Sequence, residues 1–150
     1  MIDIVKVGEE HISAALDMRM EMLGVVNGVA AENLDRKLFD LSAEYFTNGD
    51  HTTVLAYDGD TAVGCASICY ITLMPTYSHP TGKRAHIMNV YTRESHRRKG
   101  IARRMMTALL DEAKQRGVTH ISLDATESGK PLYKSLGFNT SDEAMGMNLI

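Results

Sequence analysis

The residues best suited to chemistry crowd into one short stretch. Arg93, Arg97, Arg98, Lys99, Arg103 and Arg104 are six of the chain's sixteen Lys and Arg residues, and they surround Gly100 in a chain of formal net charge −3. Before them runs AHIMNVYT (85–92), apolar enough for a strand, and after them IARRMMTALLDEAKQRG (101–117), with apolar residues at helical spacing. A strand that feeds a basic, glycine-bearing turn into a helix start can hold phosphate. The first N–H groups of the helix lack intrahelical partners, and the helix dipole is positive there. Other familiar chemistries are missing: no G-x-S-x-G, H-E-x-x-H, G-x-x-x-x-G-K-[ST] or G-x-G-x-x-G occurs. The six His and two Cys residues show no metal-ligand spacing, so no metal site is expected.

Periodicity gives the elements that must position this stretch. Ile2 to Val7 reads as a short strand, and Glu10 to Val25 as a helix with Ile12, Leu16, Met20 and Leu23 on one face. Asn27-Gly28 turns the chain into a second helix, from roughly Glu32 to Asn48, whose buried face is expected to be Leu34, Leu38, Leu41 and Tyr45. Thr52 to Tyr57, the turn Asp58-Gly59-Asp60 and Thr61 to Ile71 form a hairpin. Thr72 to Arg84 carries two of the three prolines and reads as a loop, a candidate wall for a substrate pocket. Ala85 to Thr92 is a strand, and the helix after Gly100 repeats Ile101, Met105, Leu109 and Ala113 before Gly117 ends it. Thr119 to Ala125 should then run parallel to the 85–92 strand through a right-handed crossover. Ser128 to Leu136 is a short helix, and Ala144 to Leu149 is expected as a last strand. The order β-α-α-β-β-β-α-β-α-β is that of a mixed sheet with helices on both faces.

Composition removes several function classes. A chain of 150 residues, 44% hydrophobic, suits one core and a single domain spanning 1–150. Charged residues at 23% and three prolines argue against disorder. No run of eighteen apolar residues occurs and MIDIVKVGEE lacks a basic-then-apolar pattern, so the expectation is a cytoplasmic protein without a membrane partner. Cys65 and Cys69, on one strand, would be about 13 Å apart at about 3.3 Å per residue, beyond disulfide reach. An acidic balance with 6% aromatics and no Trp speaks against a nucleic-acid partner.

Arg97-Arg98-Lys99-Gly100-Ile101-Ala102 resembles the pyrophosphate signature [Q/R]-x-x-G-x-[G/A] of the GNAT superfamily of acyl-CoA-dependent N-acyltransferases, matched by Arg97, Gly100 and Ala102. Further on, Leu132-Tyr133-Lys134-Ser135-Leu136-Gly137-Phe138 resembles the family's second signature, Y-x-x-x-G-F after a short helix. The element order is similar over essentially the whole chain. The resemblance implies an α/β (α+β) fold: a mixed, mostly antiparallel central sheet, a splayed parallel strand pair, and helices on both faces. It implies an N-acetyltransferase that uses acetyl-CoA as co-substrate and moves its acetyl group directly to a primary amine. The alternative reading is a non-catalytic acyl-CoA-binding domain. The expected partners are acetyl-CoA and an amine acceptor, and a homodimer is compatible with the sequence.

Roles follow from the same resemblance. Amides from about Arg98 to Arg103 would cradle the pyrophosphate, with Arg97, Arg98, Lys99 and Arg103 near the remaining phosphate and Ile101 in the first helical turn. The pantetheine arm would lie between Asn89–Thr92 and Ser122–Thr126, the thioester carbonyl near the amide of Val90 or Tyr91, and Thr92 and Thr126 beside it. Thr126 stands where many members carry Asn, and Thr92-Arg93-Glu94 replaces the common V-x-P. Tyr133 is implied as general acid to the departing thiolate, since a phenol with pKa near 10 is protonated at neutral pH. No carboxylate occurs between Ala85 and Thr92, so His86 is the candidate base on that strand. Met22 to Asp35 and the Thr72–Arg84 loop are the expected walls of the acceptor pocket.

Overall fold

The computed structural model describes residues 1–150, and its single sheet is laid down in chain order. Five strands, β1 (Ile2–Lys6), β2 (His51–Asp58), β3 (Thr61–Thr72), β4 (Lys83–Thr92) and β5 (His120–Leu123), lie side by side in that sequence. The first three pairings are antiparallel and β4–β5 is parallel. Four α-helices complete the order: α1 (Ile12–Asn27), α2 (Arg36–Asn48), α3 (Ile101–Gln115) and α4 (Lys130–Ser135). The mixed, mostly antiparallel sheet and the parallel crossover through α3 agree with the sequence expectation.

Strand alternation divides the core between two faces. Ala66 and Ile68 of β3 and Ala85 and Ile87 of β4 meet Ile101, Met105, Met106, Leu109 and Ala113, the buried stripe of α3. Several of these large side chains are fully buried, each contributing about 1.5–3 kcal/mol of transfer free energy. The other face holds Leu55 and Cys65 against Met18 of α1, while Ala15 and Leu16 pack on Phe46 of α2. Burial pushes the Cys65 thiol up to about 12, so it is a packing group and not a nucleophile.

The parallel pair opens partway along. Pairing runs from Arg84↔His120 to Ile87↔Leu123 and stops, although β4 continues to Thr92. The splayed arrangement therefore begins at Met88, one residue before the Asn89 expected for it.

Two sequence expectations are corrected. Ala144 to Leu149 is not a strand: Met145 (97% exposed), Met147 and Leu149 stand in solvent and pair with nothing. The alternation is real, but a strand exists only through its ladder, and this segment reaches none. The buried face of α2 is also displaced. Asp35 caps the helix by accepting from the Lys37 N–H at 2.9 Å, so it starts four residues later than expected. Ser42 and Phe46 are its buried residues, whereas Leu41 is 59% and Tyr45 41% exposed. The apolar stripe faces a cavity instead of the core.

Candidate active site

Beyond Thr92 the chain makes one 3₁₀ turn, Glu94–His96, before α3 begins. His96 Nε2 lies 2.8 Å from the Asp58 carboxylate, which pins the turn to the β2–β3 hairpin. Arg98 (φ 63) and Gly100 (φ 75) both adopt left-handed backbone on either side of Lys99. Alternation of this kind turns successive N–H groups toward one point, the geometry of an anion nest, and the unpaired first-turn amides of α3 continue it. Apart from Gly100 itself and its chain neighbours, no atom lies within 4 Å of where a Gly100 Cβ would stand, so the glycine answers a conformational demand and not a steric one.

A cavity of about 240 Å³ opens over this turn, lined by Thr92, His96, Arg97, Arg98, Gly100, Ile101, Ala102, Arg103 and Leu132. Seven of the expected cofactor residues are thus brought together, and Lys99 is not among them. Arg97 Nε donates to the Thr92 carbonyl at 3.0 Å, and Arg103 Nη2 donates to Ser135 Oγ, tying α3 to α4. Arg104 is spent elsewhere, donating to the Ile2 carbonyl at 2.9 Å. Thr92 Oγ1 is buried without a partner, an orphan that a ligand atom at this site would satisfy. Left-handed amides, flanking cations and an orphaned hydroxyl fit a diphosphate.

Tyr133 is half-buried, with its ring edge-on to Phe138 at 6.1 Å between centroids. Burial raises its pKa from the ordinary phenol value, which keeps the hydroxyl protonated at neutral pH. Val90 and Tyr133 border the same core cluster. Thr126 Oγ1 accepts from the Gly129 N–H at 3.2 Å and shapes the turn before α4.

On β4 the register slips by one residue. Tyr91 faces Cys65 and Met88 faces Ser67, so Asn89 and Val90 together oppose Ala66 and have no partner in either neighbouring ladder. Asn89 is the bulged residue, at φ 62, a conformation Asn tolerates better than most. Its surroundings hold it there: Nδ2 donates to Ser67 Oγ (3.2 Å), Arg19 Nη1 donates to Oδ1 (3.2 Å), and Cys65 Sγ donates to its carbonyl (3.2 Å).

Behind the bulge, on the α1–α2 face, lies a cavity of about 450 Å³. Its wall is Arg19 of α1, Leu38, Leu41, Ser42, Tyr45 and Phe46 of α2, Ser67 and Cys69 of β3, and Met88 and Asn89 of β4. Neither segment expected to form an acceptor pocket takes part. Residues 22–35 follow Arg19 along α1 and the connection to α2 and none enters this wall, and the 73–82 loop precedes β4, where Thr72, Lys83 and Arg84 border a separate recess. His86 is on the cavity face but outside its wall, with Nδ1 2.8 Å from Ser122 Oγ and Nε2 3.8 Å from the Asp124 carboxylate.

Sequence reasoning missed Arg19, Glu21 and Asn89. Glu21 of α1 accepts three hydrogen bonds from Arg93 (Nη2–Oε1 2.8 Å, Nε–Oε2 2.9 Å, Nε–Oε1 3.2 Å) and one from the Tyr91 hydroxyl at 2.9 Å. The Arg93 hydrogen bonds hold its carboxyl below the usual range, against some opposing burial and with help from Tyr91. This clamp fixes α1 to the end of β4. An Asn inside an apolar strand sequence was the one available signal for the bulge.

Comparison with known proteins gives a consistent answer. The model of the acetyltransferase (GNAT) family matches residues 17–138. A predicted acetyltransferase from Clostridium acetobutylicum, solved with acetyl-CoA, superposes with a TM-score of 0.88 at 31% identity, covering 99% of this chain and 97% of that one. A GCN5-related N-acetyltransferase from Ralstonia eutropha JMP134 shares the fold, with a TM-score of 0.82 at 24% identity over 99% of both chains. An uncharacterized N-acetyltransferase of Bacillus subtilis (strain 168), YsnE, is 28% identical over 88 residues, 55% of this chain and about half (52%) of the relative's length.

Proposed function

The chain belongs to the acetyltransferase (GNAT) family, and from that premise we propose that it transfers the acetyl group of acetyl-CoA directly to a primary amine of a small molecule or peptide. One observation carries the reading. Within residues 88–103 a single strand ends in an anion nest and, just before it, bulges two residues out of both ladders beside a half-open cavity. A diphosphate, an acyl carbonyl and an acceptor can therefore be held in line along one rigid element.

The chain's own residues divide the work. Amides from Arg98 to Arg103 would hold the diphosphate, with Arg97, Arg98 and Arg103 beside it and Lys99 at the exposed rim. The splay between residues 88–92 of β4 and 124–126 would take the pantetheine arm, flanked by Thr92 and Thr126. An N–H at Val90 or Tyr91 would stabilise negative charge on the acyl oxygen. The amine's lone pair attacks the acyl carbon: an N–C bond forms, the C–S bond breaks, and the sulfur leaves with the bonding electrons. Tyr133 gives its proton to that sulfur, and His86, directly or through water, takes the proton the amine must lose. No covalent enzyme intermediate is needed, since the amine attacks the acyl carbon directly and no Cys lies within the 85–104 stretch.

The test is release of free thiol from acetyl-CoA across a panel of amines, alongside calorimetric binding of acetyl-CoA. Tight binding with turnover on at least one amine supports the proposal. Binding without turnover on any amine makes the chain a binding domain, and absence of binding rejects the assignment of the cradle.

A further inference from the structure

The acceptor can be narrowed by a charge that has no counter-ion. Arg19 sits half-buried in the wall of the 450 Å³ cavity, and none of the chain's ion pairs includes it. Its hydrogen bond to Asn89 uses one of the five N–H donors of a guanidinium. Burial lowers its pKa from the ordinary value while the nearby Cys65 and Cys69 act the other way. A guanidinium nonetheless stays charged at any physiological pH. A cation drawn partly out of water and denied a carboxylate is a poor way to stabilise a fold. It is a good way to meet an anion.

The remaining wall limits which anion. No carboxylate lines the cavity, and apart from Arg19 its surface is neutral, dominated by Leu38, Leu41, Tyr45 and Met88. One cation balances one negative charge, which suits a carboxylate and leaves a phosphate dianion half compensated. Polycationic amines would enter a cavity with a like charge and nothing to pair with. Position limits the acceptor further. Arg19 bonds Asn89, the residue directly before Val90, so anion and reacting nitrogen must lie close together. In an α-amino acid a single carbon separates them.

We infer that the acceptor is an α-amino acid with an apolar side chain, its carboxylate on Arg19 and its side chain against the α2 wall, so that the products are CoA and an N-acetyl amino acid. This rests on the transferase reading above. The cavity volume lies within the range of about 300–1,000 Å³ usual for small-molecule sites.

The experiment compares kcat/KM for leucine, methionine and phenylalanine with their decarboxylated amines, and with spermidine and kanamycin, in the unmodified protein and in Arg19→Met and Arg19→Lys. The amino acids should exceed the decarboxylated amines at least tenfold and the polycations by more. Arg19→Met should remove that advantage, lowering the amino acids at least tenfold more than it lowers the carboxylate-free amines. In calorimetry or thermal shift, leucine should bind the unmodified protein and not Arg19→Met. Carboxylate-free or polycationic amines used equally well would overturn the acceptor class and leave the transferase reading standing. So would an equal fall for every amine in both variants, since Arg19 would then act only by buttressing Asn89. If no amine turns over at all, both readings fall together.

Discussion

The cradle around Gly100 and the cavity behind Asn89 both border one stretch of chain (88–103), yet they are made of different material. The cradle is backbone: two left-handed residues and the open first turn of α3, with cations around them. The cavity is side chain: ten residues delivered by α1, α2, β3 and β4. A ligand part common to many reactions can be held by main-chain amides whose positions depend on conformation alone. A ligand part that varies must be met by side chains. The two sites should therefore break in different ways, one through φ and ψ and the other through the removal of atoms.

The largest effect is expected at Tyr133, which belongs to neither wall. Tyr133→Phe should lower kcat by about 10²–10⁴-fold, with acetyl-CoA affinity by calorimetry unchanged. If affinity falls in step with kcat, Tyr133 is part of the cradle and the division drawn above is too sharp. Next comes Gly100→Val, which forces a β-branched residue to φ 75. Strain of about 1–3 kcal/mol, relieved by rearrangement of the turn in the free protein, should weaken acetyl-CoA binding about 5- to 150-fold while the melting temperature shifts little. A large loss of stability with unchanged binding would show that the turn serves the fold and not the ligand. Arg97→Ala should cost less, at most about fivefold in affinity, since a single exposed cation is worth about 0.2–1 kcal/mol, and its effect should shrink further in high salt.

The smallest effect should appear where neither site is touched. Glu112 of α3 is opposed by burial, but hydrogen bonds from Lys6 and Tyr70 outweigh that and bring its pKa down to about 2. A folded-state pKa below the unfolded value of 4.5 contributes stability that is present above pH 4.5 and lost as pH falls toward 2. Glu112→Gln should flatten that acid limb in urea unfolding measured between pH 5 and 2, with both ligand affinities unchanged at pH 7. A steep limb in the variant would assign the acid sensitivity to another carboxylate.

The same division explains how much was legible in the sequence. The cradle could be read because its determinants are consecutive: a glycine at a left-handed position, a helix start and a cluster of cations leave a linear mark. The hairpin and the parallel return to β5 were legible for the same reason, each resting on local turn residues or on the handedness of one connection. The cavity was not, because its ten residues are scattered over four elements and no two neighbouring stretches announce one another. Leu38, Leu41 and Tyr45 show the difficulty best. Their spacing gave the correct face of α2 for an apolar environment, but a stripe facing a ligand space has the same period as one facing the core. Residues 144–149 failed in the opposite sense: alternation describes a strand's faces and says nothing about whether a ladder is within reach.

The buttressed bulge has a consequence for how such a protein can change its diet. Arg19, Ser67 and Cys65 all hold Asn89, so any substitution among them alters the geometry where chemistry is proposed as well as the wall of the cavity. The opposite wall carries no such obligation. Leu38, Leu41 and Tyr45 line the space from a helix whose firm attachment comes from Phe46 and its neighbours, and Leu41 and Tyr45 are already partly open to water. New specificities, whether selected in nature or in a laboratory library, should accumulate on α2 first, with the sheet side inherited nearly unaltered.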